Sequence, residues 1–599
     1  MLRTNRYLLS LFILGLPLMS LAQQDDAAAK ERLAKINAIV EQSLTDIQNL
    51  KLPENRAFFY CQVGGLVWPQ DQKRARILFQ NSAAELISAQ TYAESKRSNN
   101  PYNEMLTGGN TRRQILEMIA SRDAELALDL LVRTRPPAVT RALAGGGPEK
   151  STKVSNVYQN DTYLIQNERY LEQNFYRMAA EQNPDRAVKI LQESLSKELS
   201  NETFNQLIRL AGMDAPAAAD MASQVVDKLM KADYITDGQP NYPTIQLTYS
   251  VLNFYISQQK EQGQKLKFDD SQIHDLAARY INTYIKDRKT VPYIGQGAVS
   301  IAEKLVPGSL DQVKKTTEAV FHPGDQSDTD SAYQKLMEND TPPEQMIAAA
   351  GKFPTETRRQ LYQSASYKYL NQGNAQAARS VLAENFTDEA REQALMNFDS
   401  QYVYTLLNQG KFNEAEMVAD SLPDQQRVAA LVNMAGNVYS RDQKENRNYA
   451  ISLLEKARQL THDKPETQAE MSMLMQLISG YCNIDATESL RIFEGVVPKL
   501  NELVDASAVI VGFHNSSNAR DGEFIMTQGD PFSSLGANVS MIGAFGNADF
   551  ERTMKLIESF TRQEVRISMR LRLAETGVGQ VSNLPIQGRA FSNMMILRK

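Results

Sequence analysis

Leu370-Asn371-Gln372-Gly373-Asn374-Ala375-Gln376-Ala377-Ala378 and Leu407-Asn408-Gln409-Gly410-Lys411-Phe412-Asn413-Glu414-Ala415 are two copies of one stretch, 37 residues apart. Each copy lies between two segments whose apolar residues recur at helical spacing, so each reads as the turn of a helical hairpin. One hairpin cannot bury its apolar face alone, and stacked copies share a continuous core. The expected fold is therefore all-α, a superhelical solenoid of stacked helical hairpins, with one small β-like or irregular insert near the C-terminus.

Working outward, Tyr362, Ala365, Tyr369, Gly373, Ala378 and Leu382 make one unit, and Leu406, Gly410, Ala415 and Ala419 the next. A third holds Met434-Ala435-Gly436, Tyr439, Ala450, Leu454 and Ala457, and a weaker fourth holds Tyr481, Ser489 and Phe493. The anchors Ala378, Ala415, Ala450 and Ser489 follow one another at intervals of 37, 35 and 39 residues. Small residues there let two helices approach closely, while the Leu and aromatic positions nearby fill the groove.

With a small residue and a Tyr in the first helix, and an Ala followed four residues later by a large apolar residue in the second, these units resemble tetratricopeptide repeats. Ala450-Ile451-Ser452-Leu453-Leu454-Glu455-Lys456-Ala457 is the closest match. The family's Trp and helix-ending Pro are absent, and the third unit has two extra residues in its turn. The resemblance is clear over about 358–497 and looser over 110–230. It implies a superhelical protein-interaction scaffold and says nothing about chemistry.

Upstream, Leu33, Ile36, Ile39, Val40, Leu44 and Ile47 predict an amphipathic helix over 25–50 that Pro53 ends. Residues 72–96 predict a second helix, and 112–133 a hairpin turning at Asp123. Pro136-Pro137 stops that hairpin, and Gly145-Gly146-Gly147-Pro148 opens a linker. Further hairpins are expected around Asn183-Pro184-Asp185 and Gly212. Near the C-terminus, Val509-Ile510-Val511-Gly512-Phe513 is β-like, with 523–526 as its expected partner across a polar turn. A last hairpin is expected from Phe550–Phe560 and Val565–Leu573. In chain order the expected domains are a signal peptide (1–22), an N-terminal helical region (23–144), a linker (145–160) and irregular helical hairpins (161–322). A polar break (323–331), the repeat array (332–505), a non-helical insert (506–545) and a C-terminal helical hairpin with its tail (546–599) follow.

The start of the chain reads as a processing signal. Arg3 and Arg6 form a basic region, Tyr7–Met19 an apolar one, and Ser20-Leu21-Ala22 a small-x-small cleavage site before Gln23. That apolar run is short for a membrane span, so the mature chain is expected to begin near Gln23 without a transmembrane segment, in the periplasm or outside the cell. The balance of 65 basic and 71 acidic residues over 599, with no long Lys/Arg run, argues against nucleic acid as a partner. Two cysteines, Cys61 and Cys482, are too few for a disulfide framework and read as buried small hydrophobes.

Catalytic motifs are missing. His274, His322, His462 and His514 show no zinc-like spacing, and there is no G-x-S-x-G elbow. Gly295-Gln296-Gly297 and Gly577-Val578-Gly579 begin like dinucleotide loops but follow no strand, and both read as turns. His514, Asp521, Glu523 and Asp530 in the insert form the one titratable cluster. It reads either as a metal or acid–base site or as a solvated loop. No residue is assigned to catalysis, and no cofactor is expected. The 24 Tyr against one Trp, Trp68, are a second candidate: in Tyr367/Tyr369 and Tyr402/Tyr404 one ring can enter the core while the other stays on a helix face. The expected function is an exported, non-catalytic scaffold that binds proteins or peptides. The alternatives are an exported helical enzyme acting on an envelope or extracellular polymer, and a structural envelope component.

Overall fold

The computed structural model describes residues 30–95, 101–144, 161–197, 202–236, 239–258, 266–287, 295–321, 328–338, 340–513, 518–529, 531 and 541–581. The expected signal peptide at 1–22, the 145–160 linker, His322, His514 and Asp530 lie outside these. The chain divides into two compact units, one of residues 1–111 with 339–599 and the other of residues 112–338.

The first unit opens with α1 (30–47), α2 (Pro53–Val67) and α3 (Gln72–Ser95), and α4 (Pro101–Ala120) carries the chain across the division. Pro53 opens α2 rather than ending α1, a position where its missing N–H costs nothing. Helix α2 escapes the periodicity argument because it is buried nearly all round, from Phe58 and Phe59 to Cys61, Val63 and Leu66. Its Gly64 lies where a Cβ would meet the ring of Phe79 on α3, so the two helices pack backbone to side chain.

The second unit is built of α5 (Ala124–Arg133), α6 (Pro137–Leu143), α7 (Asp161–Gln182), α8 (Ala187–Lys197), α9 (Thr203–Met213) and α10 (Ala215–Lys231). It continues with α11 (Tyr242–Gln258), α12 (Asp270–Lys286), α13 (Gly295–Leu305), α14 (Leu310–Phe321) and α15 (Asp328–Leu336). Asp123, Asp214 and Asp269 each accept a backbone N–H two or three residues into the helix they cap, which sets where α5, α10 and α12 begin. β1 (Ile235–Thr236) and β2 (Gln239–Pro240) pair antiparallel between α10 and α11. Gly295-Gln296-Gly297 is the first turn of α13, not a loop, because Gly297 lets α13 close onto Tyr249 of α11. The expected 323–331 break ends early, since α15 begins at Asp328.

Returning to the first unit, α16 (Pro343–Ala350) precedes the hairpins α17–α18 (Thr355–Asn371, Ala375–Asn385) and α19–α20 (Asp388–Asn408, Phe412–Ala419). The hairpins α21–α22 (Asp424–Arg441, Arg447–Gln459) and α23–α24 (Gln468–Ile484, Ala486–Phe513) come next. The two copies of the repeated stretch are the α17–α18 and α19–α20 turns, and Gly373 and Gly410 take φ of 82° and 76°, where a side chain would be strained. Ala378, Ala415, Ala450 and Ser489 are all fully buried, each at the head of a second helix. Leu370, Ala378, Leu382, Phe386, Ala394 and Phe398 form one core cluster spanning two hairpins, as nearest-neighbour stacking requires.

Helix α24 corrects one expectation. Val509–Phe513 is its last turn rather than a strand, because the buried row Leu500, Val504, Ala508 keeps helical spacing to its end. The small β element is instead β3 (Ala519–Arg520) paired with β4 (Glu523–Phe524). Asp521 and Gly522 between them have φ of 49° and 81°, the pattern of a type I′ hairpin turn. α25 (Met541–Ala548) begins inside the expected non-helical insert, and α26 (Phe550–Glu558) and α27 (Gln563–Val581) are the last of the described helices. Gly577-Val578-Gly579 is helical too, as part of α27, with Gly577 closing onto Ile36 of α1. Among the described residues no helix is long and apolar enough to cross a membrane.

Candidate functional site

In the array, the anchors determine which face is buried and therefore which side chains remain outside. Tyr369 and Tyr402 pack against the core cluster, whereas Tyr367 and Tyr404 are 44% and 46% exposed. The pairs thus divide as the sequence suggests, one ring in and one out. Tyr367 on α17 and Tyr404 on α19 stand 37 residues apart, the spacing of the repeated stretch itself. They are equivalent positions on successive first helices. The Tyr404 hydroxyl accepts a hydrogen bond from Asn433 Nδ2 of α21 at 2.6 Å, which ties the ring to the next hairpin.

The second helices carry a different chemistry. Glu416 of α20 accepts a hydrogen bond from the Tyr449 hydroxyl of α22 at 3.2 Å and pairs with Lys456. Arg447 pairs with Asp485 at 2.9 Å and Arg458 with Glu488 at 3.1 Å. Burial, with Glu416 alongside, pushes the Tyr449 phenol up to about 12. Burial and the neighbouring Glu455 and Glu488 do the same for Tyr481. Between hairpins, Arg441 donates to the Leu407 carbonyl at 2.7 Å and covers the ring of Phe412 at 4.9 Å. Successive hairpins are thus laced together by ion pairs and hydrogen bonds, while Tyr367 and Tyr404 stand exposed on the first helices α17 and α19.

Of the insert cluster, the described residues include Glu523 and Asp521. Glu523 is 7% exposed, and its carboxylate is occupied by the backbone N–H groups of Lys51 and Leu52 and by Asn55 Nδ2. Asp521 serves the I′ turn, where its backbone carbonyl accepts a bond from Lys51 Nζ at 3.2 Å. Two members, His514 and Asp530, lie outside the described residues. Among the described residues no group of three or more His, Cys, Asp or Glu could hold a metal ion. His274 Nδ1 lies 2.9 Å from the Leu305 carbonyl, a contact between α12 and the end of α13. Cys61 and Cys482 form no disulfide; the first is buried and the second half-buried.

Sequence reasoning passed over a buried ionic cluster in the second unit. Glu168 of α7 accepts Arg112 Nη1 at 2.8 Å on one oxygen, and Arg112 Nη2 at 3.0 Å and Arg135 Nε at 2.8 Å on the other. Arg112 also donates to Thr134 Oγ1 and to the Leu131 carbonyl. The only sign in the sequence is a pair of arginines bracketing a hairpin whose carboxylate partner is 56 residues away from Arg112, and no local pattern marks it.

No family model matches the chain, and no curated protein matches it. Among solved structures it is similar to a circular tandem repeat protein described as having a novel repeat topology and enhanced subunit contact surfaces. The identity is 10%, over 92% of this chain and 98% of that one, with a TM-score of 0.10. So loose a likeness carries no functional argument.

Proposed function

We propose that this chain is an exported, non-catalytic helical scaffold whose first-helix face, around Tyr367 and Tyr404, holds an extended protein or peptide segment. The observation that carries this reading is the register of the two exposed rings with the repeat. Tyr gives large contact area at low conformational cost, with a hydroxyl for orientation. Neighbouring helices pack about 8–10 Å apart, and an extended chain rises about 3.3 Å per residue. A bound segment would therefore meet one hairpin roughly every third residue. Export rests on Arg3, Arg6, the apolar run to Met19 and the Ser20-Leu21-Ala22 junction.

Selection of displayed random peptides against the mature chain tests the binding face. The enriched peptides should lose about tenfold or more in affinity for a Tyr367→Ser/Tyr404→Ser double variant, as removal of hot-spot rings does. A Met417→Ser control, which changes an exposed side chain on second helix α20, should bind as the parent does. Equal binding to both variants would refute the assignment of this face. N-terminal sequencing of material from outside the cytoplasm should read from at or near Gln23; a chain still starting at Met1 would overturn the export reading.

A further inference from the structure

Next to the Arg112–Glu168–Arg135 cluster, the second unit contains a half-open cavity of about 330 Å³. Val132, Arg135, Leu143, Glu168, Tyr176 and Ser194 are among the residues that line it. Two groups there are incompletely satisfied. Arg135 uses its Nε on Glu168, and its two terminal amino groups have no acceptor among the described residues. Ser194 is 1% exposed, and its hydroxyl has no hydrogen-bond partner among the described residues. A buried hydroxyl without a partner costs stability, so its retention beside a cavity calls for a visitor.

Glu168 cannot supply the missing acceptors, because its two oxygens already take three charge-assisted bonds. Nor is Arg112 available as a second donor, since its nitrogens are all engaged within the cluster. That leaves the outer edge of Arg135, a planar pair of donors that matches a carboxylate. Tyr176 contributes an aromatic wall whose hydroxyl donates to Glu193 at 3.0 Å, and Val132 and Leu143 contribute aliphatic surface. The volume lies at the small end of ligand pockets, enough for one residue-sized group.

We infer that this cavity binds the carboxylate of a small, partly aliphatic acid, with Arg135 clamping the carboxylate and Ser194 donating to it. Such a carboxylate has two sources, a free small acid or the C-terminus of a peptide. The site is separate from the array face, and its test does not depend on that reading.

Isothermal titration of the full mature chain with 4-methylpentanoate, N-acetyl-leucine and N-acetyl-leucinamide tests this. At least one acid should bind saturably, and the amide, which lacks the carboxylate, should bind at least tenfold more weakly. Binding of N-acetyl-leucine alone identifies a peptide C-terminus, and binding of both acids identifies free small acids as well. Arg135→Gln should weaken the acid at least fivefold. Because that change also touches Glu168, Ser194→Ala is the decisive variant: it removes an unpartnered buried hydroxyl, so it should not lower the melting temperature while it weakens the acid at least fivefold. Equal binding of acid and amide, no binding of either acid, or parental affinity in Ser194→Ala overturns the inference.

Discussion

Glu523 Oε2 accepts the backbone N–H of Leu52 at 3.1 Å, across 471 residues of sequence. Leu52 is the N-cap of α2 and has no side-chain cap of its own, so the carboxylate on β4 takes over that duty from the far end of the chain. Asn55 reinforces the joint, donating to the Phe524 carbonyl at 2.7 Å and accepting the Met526 N–H at 3.0 Å. Glu523→Ala should cost about 1–3 kcal/mol, the penalty for stranding buried donors. Faster amide exchange at Leu52, together with a lower urea midpoint, is the expected signature. Parental protection at Leu52 would show that the cap is ornamental.

A second carboxylate sits behind the first and titrates in the opposite sense to a stabilising one. Glu564 is 3% exposed, and burial holds its carboxyl above the usual range. The N–H of Phe524 and the Arg562 charge pull it partly back, while Glu523 pushes it up. A raised folded value means that the native state holds the proton more tightly than the unfolded chain does. Ionised Glu564 therefore lowers stability at neutral pH, and the cost fades as pH falls through the folded value towards the ordinary one. Glu564→Gln should raise the urea midpoint at pH 7, with its advantage over the parent shrinking steadily on acidification. An advantage that grows as pH falls would contradict this.

Arg570 is the pivot between α1, α26 and α27. It is 3% exposed, donates to Glu558 from Nε at 2.6 Å and Nη2 at 2.7 Å, and pairs with Asp46 through Nη1. Removing Arg570 strands Asp46 at 16% exposed while water can take up Glu558 at 45%, so the loss should fall below that of a fully buried pair, at about 1–3 kcal/mol. Arg570→Ala should lose that much in chemical denaturation. Arg570→Lys should fall in between, because an ammonium cannot reproduce the two-pronged bond. A loss below about 1 kcal/mol for Arg570→Ala would mean that solvent already reaches the cluster.

The array was legible because its information is local. Gly373 and Gly410 mark turns, Ala378, Ala415, Ala450 and Ser489 mark close approaches, and each constraint acts within one hairpin. The clasp between α2 and β4 was not legible, since Glu523 and Leu52 carry no pattern that links them. Helix α27 is an arm of the last hairpin, as expected, although its local pattern points the other way. Val565, Ile567, Met569, Leu571 and Leu573 alternate as a strand does, yet they are helical and all buried. Arg570 is buried among them, so the polar side of the helix narrows to a stripe of Ser568, Arg572 and Glu575 that the alternation masks. Helix α24 fails differently: Val509 and Ile510 are β-branched but 71% and 57% exposed, so composition at its end outweighed the buried row that sets the period. The exposed rings Tyr367 and Tyr404 were foreseeable as pairs with their buried neighbours. The Arg135 cavity was not, because its walls come from four helices, α5 to α8, whose spacing in sequence is irregular.

Ala415 gives the sharpest test of the repeat register. It is fully buried, it heads α20 where that helix packs on α19, and its counterparts Ala378, Ala450 and Ser489 are equally buried. A larger side chain there must push α20 away from α19 or force neighbouring side chains off their rotamers, at about 1–3 kcal/mol. Glu414 next to it points outward, with only a loose 3.9 Å pairing to Lys411, which is worth at most about 1 kcal/mol. Ala415→Leu should therefore lower the melting temperature, and Glu414→Ala should barely move it. Because each hairpin is stabilised by its neighbours, the Ala415→Leu transition should also broaden as units on either side lose their contacts. If the two substitutions prove equally harmless, α20 does not depend on close approach at Ala415, and small anchors are not what holds the hairpins together.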